Sequence, residues 1–150
     1  MLLEIEKDNI WNYYHYFPIA ITTNGNVNCR GCNVMGKGIA LEAKRYCPAL
    51  PKMIGDSIKR IGNRVKYFPE YNLFSFPTKH DWREKSDIQL ISESAYELYC
   101  ILTNANWFKE KIVYMTRPGC GNGQLDWLDI KPIMEDYFKN SECCIFIVNK

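Results

Sequence analysis

Short apolar runs bounded by glycine, proline or asparagine alternate along the chain with longer stretches whose apolar positions recur every three or four residues. The short runs predict strands at 2–6 (LLEIE), 18–23 (PIAITT), 64–68 (RVKYF), 71–76 (YNLFSF), 111–116 (KIVYMT) and 144–149 (CIFIVN). The longer stretches predict helices at 36–46, 50–61, 87–106 and about 127–139. The third helix has the clearest buried stripe, Ile88, Ile91, Ala95, Leu98, Leu102 and Ala105, with Ser86 as its expected N-cap. Cys47-Pro48 ends the first helix, because proline disfavours helical geometry in the residue before it, and Gly62-Asn63 ends the second.

Alternation of apolar strands with helices predicts an α/β fold, a mixed sheet covered on both faces. In such folds ligands sit at the carboxyl ends of strands, where loops and helix N-termini converge. Three loops fall at expected strand ends, 24–38, 77–85 and 117–126, so one site assembled from three distant segments is expected.

Composition narrows this picture. A chain of 150 residues, 47% hydrophobic and 24% charged, is expected to fold as one soluble domain spanning 1–150. Nineteen basic against seventeen acidic side chains leave a net charge of +2, which excludes tight, non-specific duplex binding through charge alone. Seven cysteines are an odd count in strand-like settings, which argues against a disulfide framework and for a reducing, cytoplasmic interior. Cys29 and Cys32 have zinc-knuckle spacing, but no second pair follows and the only histidines are His15 and His80, so no metal is expected. No segment has the length and apolarity of a membrane span, and no leader is expected.

The first loop runs Thr22-Thr23-Asn24-Gly25 to Val34-Met35-Gly36-Lys37-Gly38-Ile39-Ala40. Gly36 and Gly38 let backbone amides approach a ligand at a helix start, where unpaired donors and the helix dipole favour an anion such as a diphosphate. The bland alternative is a tight loop-to-helix junction. Neither the dinucleotide fingerprint nor the P-loop pattern is present. The loop Pro118-Gly119-Cys120-Gly121-Asn122-Gly123-Gln124-Leu125 could supply a nest of amides for phosphate or ribose oxygens, and Asp126 reads as a helix cap rather than a catalytic acid. Trp127 could be core or a pocket lid.

Between the glycine loops lies Thr78-Lys79-His80-Asp81-Trp82-Arg83. Lys79 follows a strand and points to nucleophilic or electrostatic chemistry, with a solvated or phosphate-binding lysine as the alternative. His80 and Asp81 could pair as acid and base, although neighbours rarely point together. Trp82 and Arg83 could stack on a base or hold a phosphate, or simply pack the loop. Asn24 could bond a ribose or only its own turn. Asn9 occupies another strand-end loop, and Tyr13, Tyr14, Tyr16 and Phe17 could line an adenine pocket or pack the core.

Taken together, Ile21-Thr22-Thr23-Asn24-Gly25, Val34 to Ala40, Arg117 to Gly123 and Leu125-Asp126-Trp127 resemble the macrodomain family, whose members bind ADP-ribose. The resemblance implies a three-layer α/β/α fold with a mixed central sheet. Phe76-Pro77-Thr78-Lys79 and Trp82-Arg83 are most similar to the branch of the DNA ADP-ribosyl glycohydrolase antitoxin and the related terminal ADP-ribose glycohydrolase. It implies that Lys79 is catalytic at C1″ of the distal ribose. Asn9 and Ile10 would take the adenine side, and Asn24 the ribose side. Met35, Gly36, Lys37, Gly38, Ile39 and Ala40, with Thr78 and Pro118, Gly119, Cys120, Gly121, Asn122, Gly123, Gln124 and Leu125, would cradle diphosphate and distal ribose.

The departures are Gly123, where the terminal glycohydrolases have an aspartate, and the insertion-like stretch Asn26 to Asn33; an antitoxin-like second domain is not expected. The implied activity is hydrolysis at C1″ of ADP-ribosylated DNA or protein, without a cofactor. The alternatives are an ADP-ribose-1″-phosphate phosphatase, in which His80 would matter more, and a non-catalytic reader. The implied partners are ADP-ribose or its conjugates, with single-stranded DNA as a further contact; no membrane contact is implied, and the chain is expected to be a monomer.

Overall fold

The computed structural model describes residues 1–104, 106 and 110–150. Among them, six strands form one sheet: β1 (Leu2–Ile5), β2 (Ile19–Thr23), β3 (Lys66–Phe68), β4 (Leu73–Pro77), β5 (Ile112–Met115) and β6 (Cys144–Val148). The order across the sheet is β1-β6-β5-β2-β4-β3, parallel throughout except for the antiparallel β3–β4 pair. Four α-helices cover it: α1 (Gly38–Tyr46), α2 (Leu50–Ile61), α3 (Ile88–Asn104) and α4 (Trp127–Phe138).

The strand period of two sorts the apolar residues into two cores. Ala20, Phe74, Phe76, Val113, Met115, Ile145 and Ile147 face α3 and α4, where they meet Ile91, Leu98, Leu102, Ile130, Met134 and Phe138. Ile19, Ile21, Leu73 and Tyr114 point the other way, against Ala43, Leu50, Ile54 and the turn at Ile10 and Trp11. The result is the expected three-layer α/β/α fold with a mixed central sheet. Tyr13 and Phe17 pack on the Tyr114 ring at 4.4 and 5.1 Å, and the Tyr14 hydroxyl donates to the Tyr71 carbonyl, so these three are core packing, whereas Tyr16 is exposed.

Several element ends move by one or two residues. The first helix begins at Gly38 rather than 36, which leaves Gly36 and Lys37 in the loop, and β4 extends to include Pro77. The cap of α3 is Asp87, not Ser86: the Asp87 carboxylate accepts the Gln89 amide at 2.9 Å. Ser86 is buried beside Gly123, whose carbonyl accepts its amide at 3.0 Å. Ile88 is 44% exposed, and Leu90 and Ser94 join the buried face instead. The helix starts at Ile88 itself, and its first turn is buried through Leu90 and Ile91 rather than Ile88. Ala105, the last residue of the expected stripe, lies outside the described residues.

Candidate functional site

All the parallel strands end along one edge of the sheet, and the loops that follow them surround a cavity of about 600 Å³. Residues at or just after the ends of β1 (Asp8, Ile10), β6 (Val148, Lys150), β5 (Thr116, Arg117), β2 (Asn24) and β4 (Thr78, Lys79) all line it. From β6 to β4 is three strand spacings, about 14 Å, so the cavity is elongated across the sheet edge. Lys79 and Trp82 mark one end, Asp8 and Lys150 the other.

The wall facing the sheet edge is the start of α1. Its N-cap residue, Lys37, makes no side-chain cap, and no acidic residue sits in the first turn. Uncapped amides and the positive end of the helix dipole therefore face the middle of the cavity. Gly38 (φ +57°) sits under the Asn122 side chain, where a Cβ would lie 2.9 Å from its amide nitrogen. The two glycine loops thus meet across the cavity. Their glycines divide into two kinds. Gly119 (φ +77°) and Gly123 are packed, since a Cβ would lie 2.5 Å from Ile91 Cδ1 and 2.3 Å from Ser86 Oγ respectively. Gly36 and Gly121 face open space with no atom within 4 Å of an added Cβ, which leaves their backbone accessible.

Lys79 is placed by a hydrogen-bonded frame. The Thr78 and Lys79 amides donate to the Thr23 carbonyl at 3.0 and 3.4 Å, and the Lys79 carbonyl accepts from Asn63 Nδ2 at 3.0 Å. Its Nζ donates to the carbonyls of Asn122 (3.2 Å) and Trp82 (3.4 Å), bridging the two loops at the cavity mouth. The Asn26–Asn33 stretch closes through a Val27–Asn33 bridge and docks on α2, where the Asn33 amide donates to the Pro51 carbonyl at 2.8 Å. Asn26 then reaches the lysine loop: Nδ2 donates to Asp81 at 3.2 Å and Oδ1 accepts the Trp82 amide at 2.6 Å. Asp81 is also held by Arg83 through two side-chain contacts of 2.9 and 3.0 Å, and this guanidinium keeps its carboxyl well below the usual carboxylate range. His80 does not pair with Asp81. It bonds Asp87 at 2.8 Å, which lowers the Asp87 pKa, and it lies outside the cavity lining.

Of the residues singled out in the sequence, Ile10, Asn24, Gly36, Lys37, Gly38, Ile39, Ala40, Thr78, Lys79, Gly119, Cys120, Gly121, Asn122 and Gly123 line the cavity. Asn24 does so with its amide engaged by the loop: Nδ2 donates to the Val34 carbonyl and Oδ1 accepts from the Asn26 amide and Asn33. Met35 is buried in the core behind the loop, and Pro118 lies outside the lining. Asn9 is displaced by one residue in favour of Asp8, because its side chain caps the turn that follows by accepting the Trp11 amide at 3.0 Å. Hydrogen bonds from Tyr13, Asn9 and Asn12 hold the Asp8 carboxyl below its usual range. Gln124 and Leu125 face a second, more open cavity of about 670 Å³ on the far side of the loop. Trp127 also borders it, donating through Nε1 to Glu4 at 2.7 Å.

Sequence reasoning missed Asp8, Glu42, Ser86, Thr116, Val148 and Lys150 in the lining. Val148 and Lys150 were reachable by the strand-end rule applied to the last strand. Burial raises the pKa of the Cys120 thiol, which lines both cavities. Among the described residues no group of three metal-ligating side chains converges, and no helix is long and apolar enough to cross a membrane.

Comparison with known proteins gives this geometry a family. The solved macrodomain of Thermus aquaticus DarG superposes with a TM-score of 0.73 at 25% identity, covering all of this chain and 98% of that one. The macrodomain of Mycobacterium tuberculosis DarG gives 0.72 at 25% identity, covering 99% and 97%. Among curated proteins, a DNA ADP-ribosyl glycohydrolase of Thermus aquaticus is 31% identical over 129 residues, 79% of this chain and 34% of that protein. No family model matches the chain. The chain is a macrodomain. Within that family it is related to the branch of DarG, the DNA ADP-ribosyl glycohydrolases. It spans about a third of the length of the curated relatives it matches.

Proposed function

We propose that this chain binds an ADP-ribosyl group along the sheet edge and hydrolyses its linkage at C1″, with Lys79 as the catalytic residue. The observation that carries the reading is the position of Lys79 Nζ, hydrogen-bonded to two carbonyls at one end of an elongated cavity whose middle is walled by uncapped helix amides. A diphosphate suits the α1 N-terminus and the open backbone at Gly36 and Gly121, which leaves the adenosine for the Asp8 and Ile10 end and the distal ribose for Lys79. The likeness to the DNA ADP-ribosyl glycohydrolases supports the same reading.

Lys79 has two available roles. As a nucleophile the neutral amine bonds C1″ through its nitrogen while the bond to the leaving group breaks, and the leaving group takes up the proton the nitrogen sheds. Water then adds at C1″, the C1″–N bond breaks, and ADP-ribose departs as the amine is restored. As an ammonium it stabilises negative charge developing on the departing group. In either role the carbonyls of Trp82 and Asn122 fix the nitrogen, and small displacements reduce the rate steeply. The leaving group is a nucleic-acid base or a protein side chain. The phosphatase alternative loses its residue, since His80 is tied to Asp87 outside the cavity.

Product release from ADP-ribosylated single-stranded DNA, ADP-ribosylated protein and ADP-ribose-1″-phosphate, measured in parallel, tests the proposal. Release from DNA or protein supports it and names the substrate. Phosphate release from the small metabolite alone identifies a phosphatase. Binding of ADP-ribose with silence on all three identifies a reader.

A further inference from the structure

A second cavity adjoins the main one at its Lys150 end. Thr116, Arg117, Cys120, Gly121, Val148 and Lys150 line both, so the two are contiguous across a shared wall. The join lies at the ends of β5 and β6, away from Lys79 at the end of β4. With a ligand laid out as proposed above, the reacting ribose occupies the Lys79 end and the adenosine the end that opens into the second cavity. That cavity, at about 670 Å³, is as large as the first.

The polar groups there are mostly donors. Arg117 lies over the Trp127 ring, 5.5 Å from its centroid, and one guanidinium nitrogen is held by Glu6 at 2.7 Å with Glu4 at 3.6 Å, which fixes its plane. Its Nε is buried without a partner in the protein, so the guanidinium is incompletely satisfied. The Lys150 ammonium is exposed and only loosely paired with Glu42 at 3.7 Å. Gln124 contributes an amide from a backbone held at φ +65°, in the left-handed region that a non-glycine residue adopts only when its surroundings impose it. The Asn149 amide is engaged by Glu6. Among the described lining residues the one acidic side chain is Asp126, whose Oδ1 accepts the Leu128 amide as the cap of α4.

We propose that the second cavity is an extension subsite for a phosphoryl group carried on the adenosine ribose, received by Lys150, Arg117 and Gln124. The inference rests on the proposed orientation of the ligand in the main cavity. A phosphoryl group at this position replaces the loose Lys150–Glu42 pair with a charge-assisted contact.

Calorimetric titration of the intact chain with ADP-ribose and with ADP-ribose 2′-phosphate tests this, in the wild type, Gln124→Glu and Lys150→Ala. Partly exposed charge pairs contribute modestly, so the phosphorylated ligand is expected to bind about threefold to tenfold tighter at low salt. That preference is expected to shrink in Lys150→Ala and to disappear in Gln124→Glu, which places a like charge in the subsite. Equal or weaker binding of the phosphorylated ligand by a wild type that binds ADP-ribose overturns the subsite alone. A preference that survives both substitutions also overturns it. Failure of both ligands to bind overturns the reading of the main cavity together with this one.

Discussion

At the scale of single residues, the glycines separate folding from ligand binding. Gly36 has no positive φ and faces open space, so Gly36→Ala is expected to leave the thermal midpoint within about 2 °C while its methyl group blocks the cavity. Affinity for ADP-ribose should fall at least tenfold by calorimetry. Gly119→Ala has the opposite signature, because φ is +77° and the new methyl would meet Ile91 2.5 Å away. It should cost about 1–3 kcal/mol in denaturant unfolding. Equal loss of stability in both variants would contradict this division. Which glycine is which was not legible in the sequence, since it depends on Ser86, Ile91 and Asn122 arriving from distant segments. The same holds for Asn24, whose amide is engaged by partners up to ten residues away.

At the scale of elements, the lysine loop is tied to the inserted stretch and to its own acid–base pairs. Asn26→Ala removes the bonds to Asp81 and to the Trp82 amide, freeing the carbonyl that holds Lys79 Nζ. Turnover is expected to fall about tenfold with ADP-ribose affinity within about twofold, a split that a merely structural role would not give. The loop should also resist acid. The Asp81 and Asp87 carboxyls are held below their usual values by Arg83 and His80. Their contribution to order is therefore present above about pH 4 and is lost only as pH falls through the lowered folded values. Carbon-detected NMR titration of the two carboxyls should show both depressed; an unshifted Asp81 would mean that its contacts with Arg83 do not persist in solution. Strand and helix positions were largely legible from periodicity. The start of α3 was misassigned because Ser86 and Asp87 are both good caps, and only the contact of Ser86 with Gly123 decides between them.

At the scale of the whole molecule, the site depends on sheet order. The sequence shows that loops follow strands, but not that the strands preceding Asp8 and Lys150 lie side by side at one end of the cavity. That juxtaposition is fixed by β1 pairing with β6, a contact between the two ends of the described chain, and periodicity carries no information about it. A polar cluster reinforces it. Glu4 of β1 accepts from Trp127 and Lys131 of α4, both at 2.7 Å, and the Lys131 contact is the main cause of its lowered pKa. A lowered carboxyl stabilises the fold above about pH 4.3 and loses that contribution as pH falls through its folded value. Glu4→Gln should therefore lower the thermal midpoint at pH 7, with the gap to wild type closing towards pH 3. A constant gap across that range would assign the effect to packing alone.

The central claim is that Lys79 performs chemistry at C1″ rather than merely completing a binding site. Turnover and ADP-ribose affinity measured side by side in Lys79→Ala and Lys79→Arg address it most directly. A catalytic Lys79 predicts that the alanine variant keeps ADP-ribose affinity within about threefold and loses hydrolysis by at least a thousandfold. Activity retained by Lys79→Arg assigns the electrostatic role, and activity lost in both assigns the nucleophile. Hydrolysis undiminished in Lys79→Ala would contradict the claim outright.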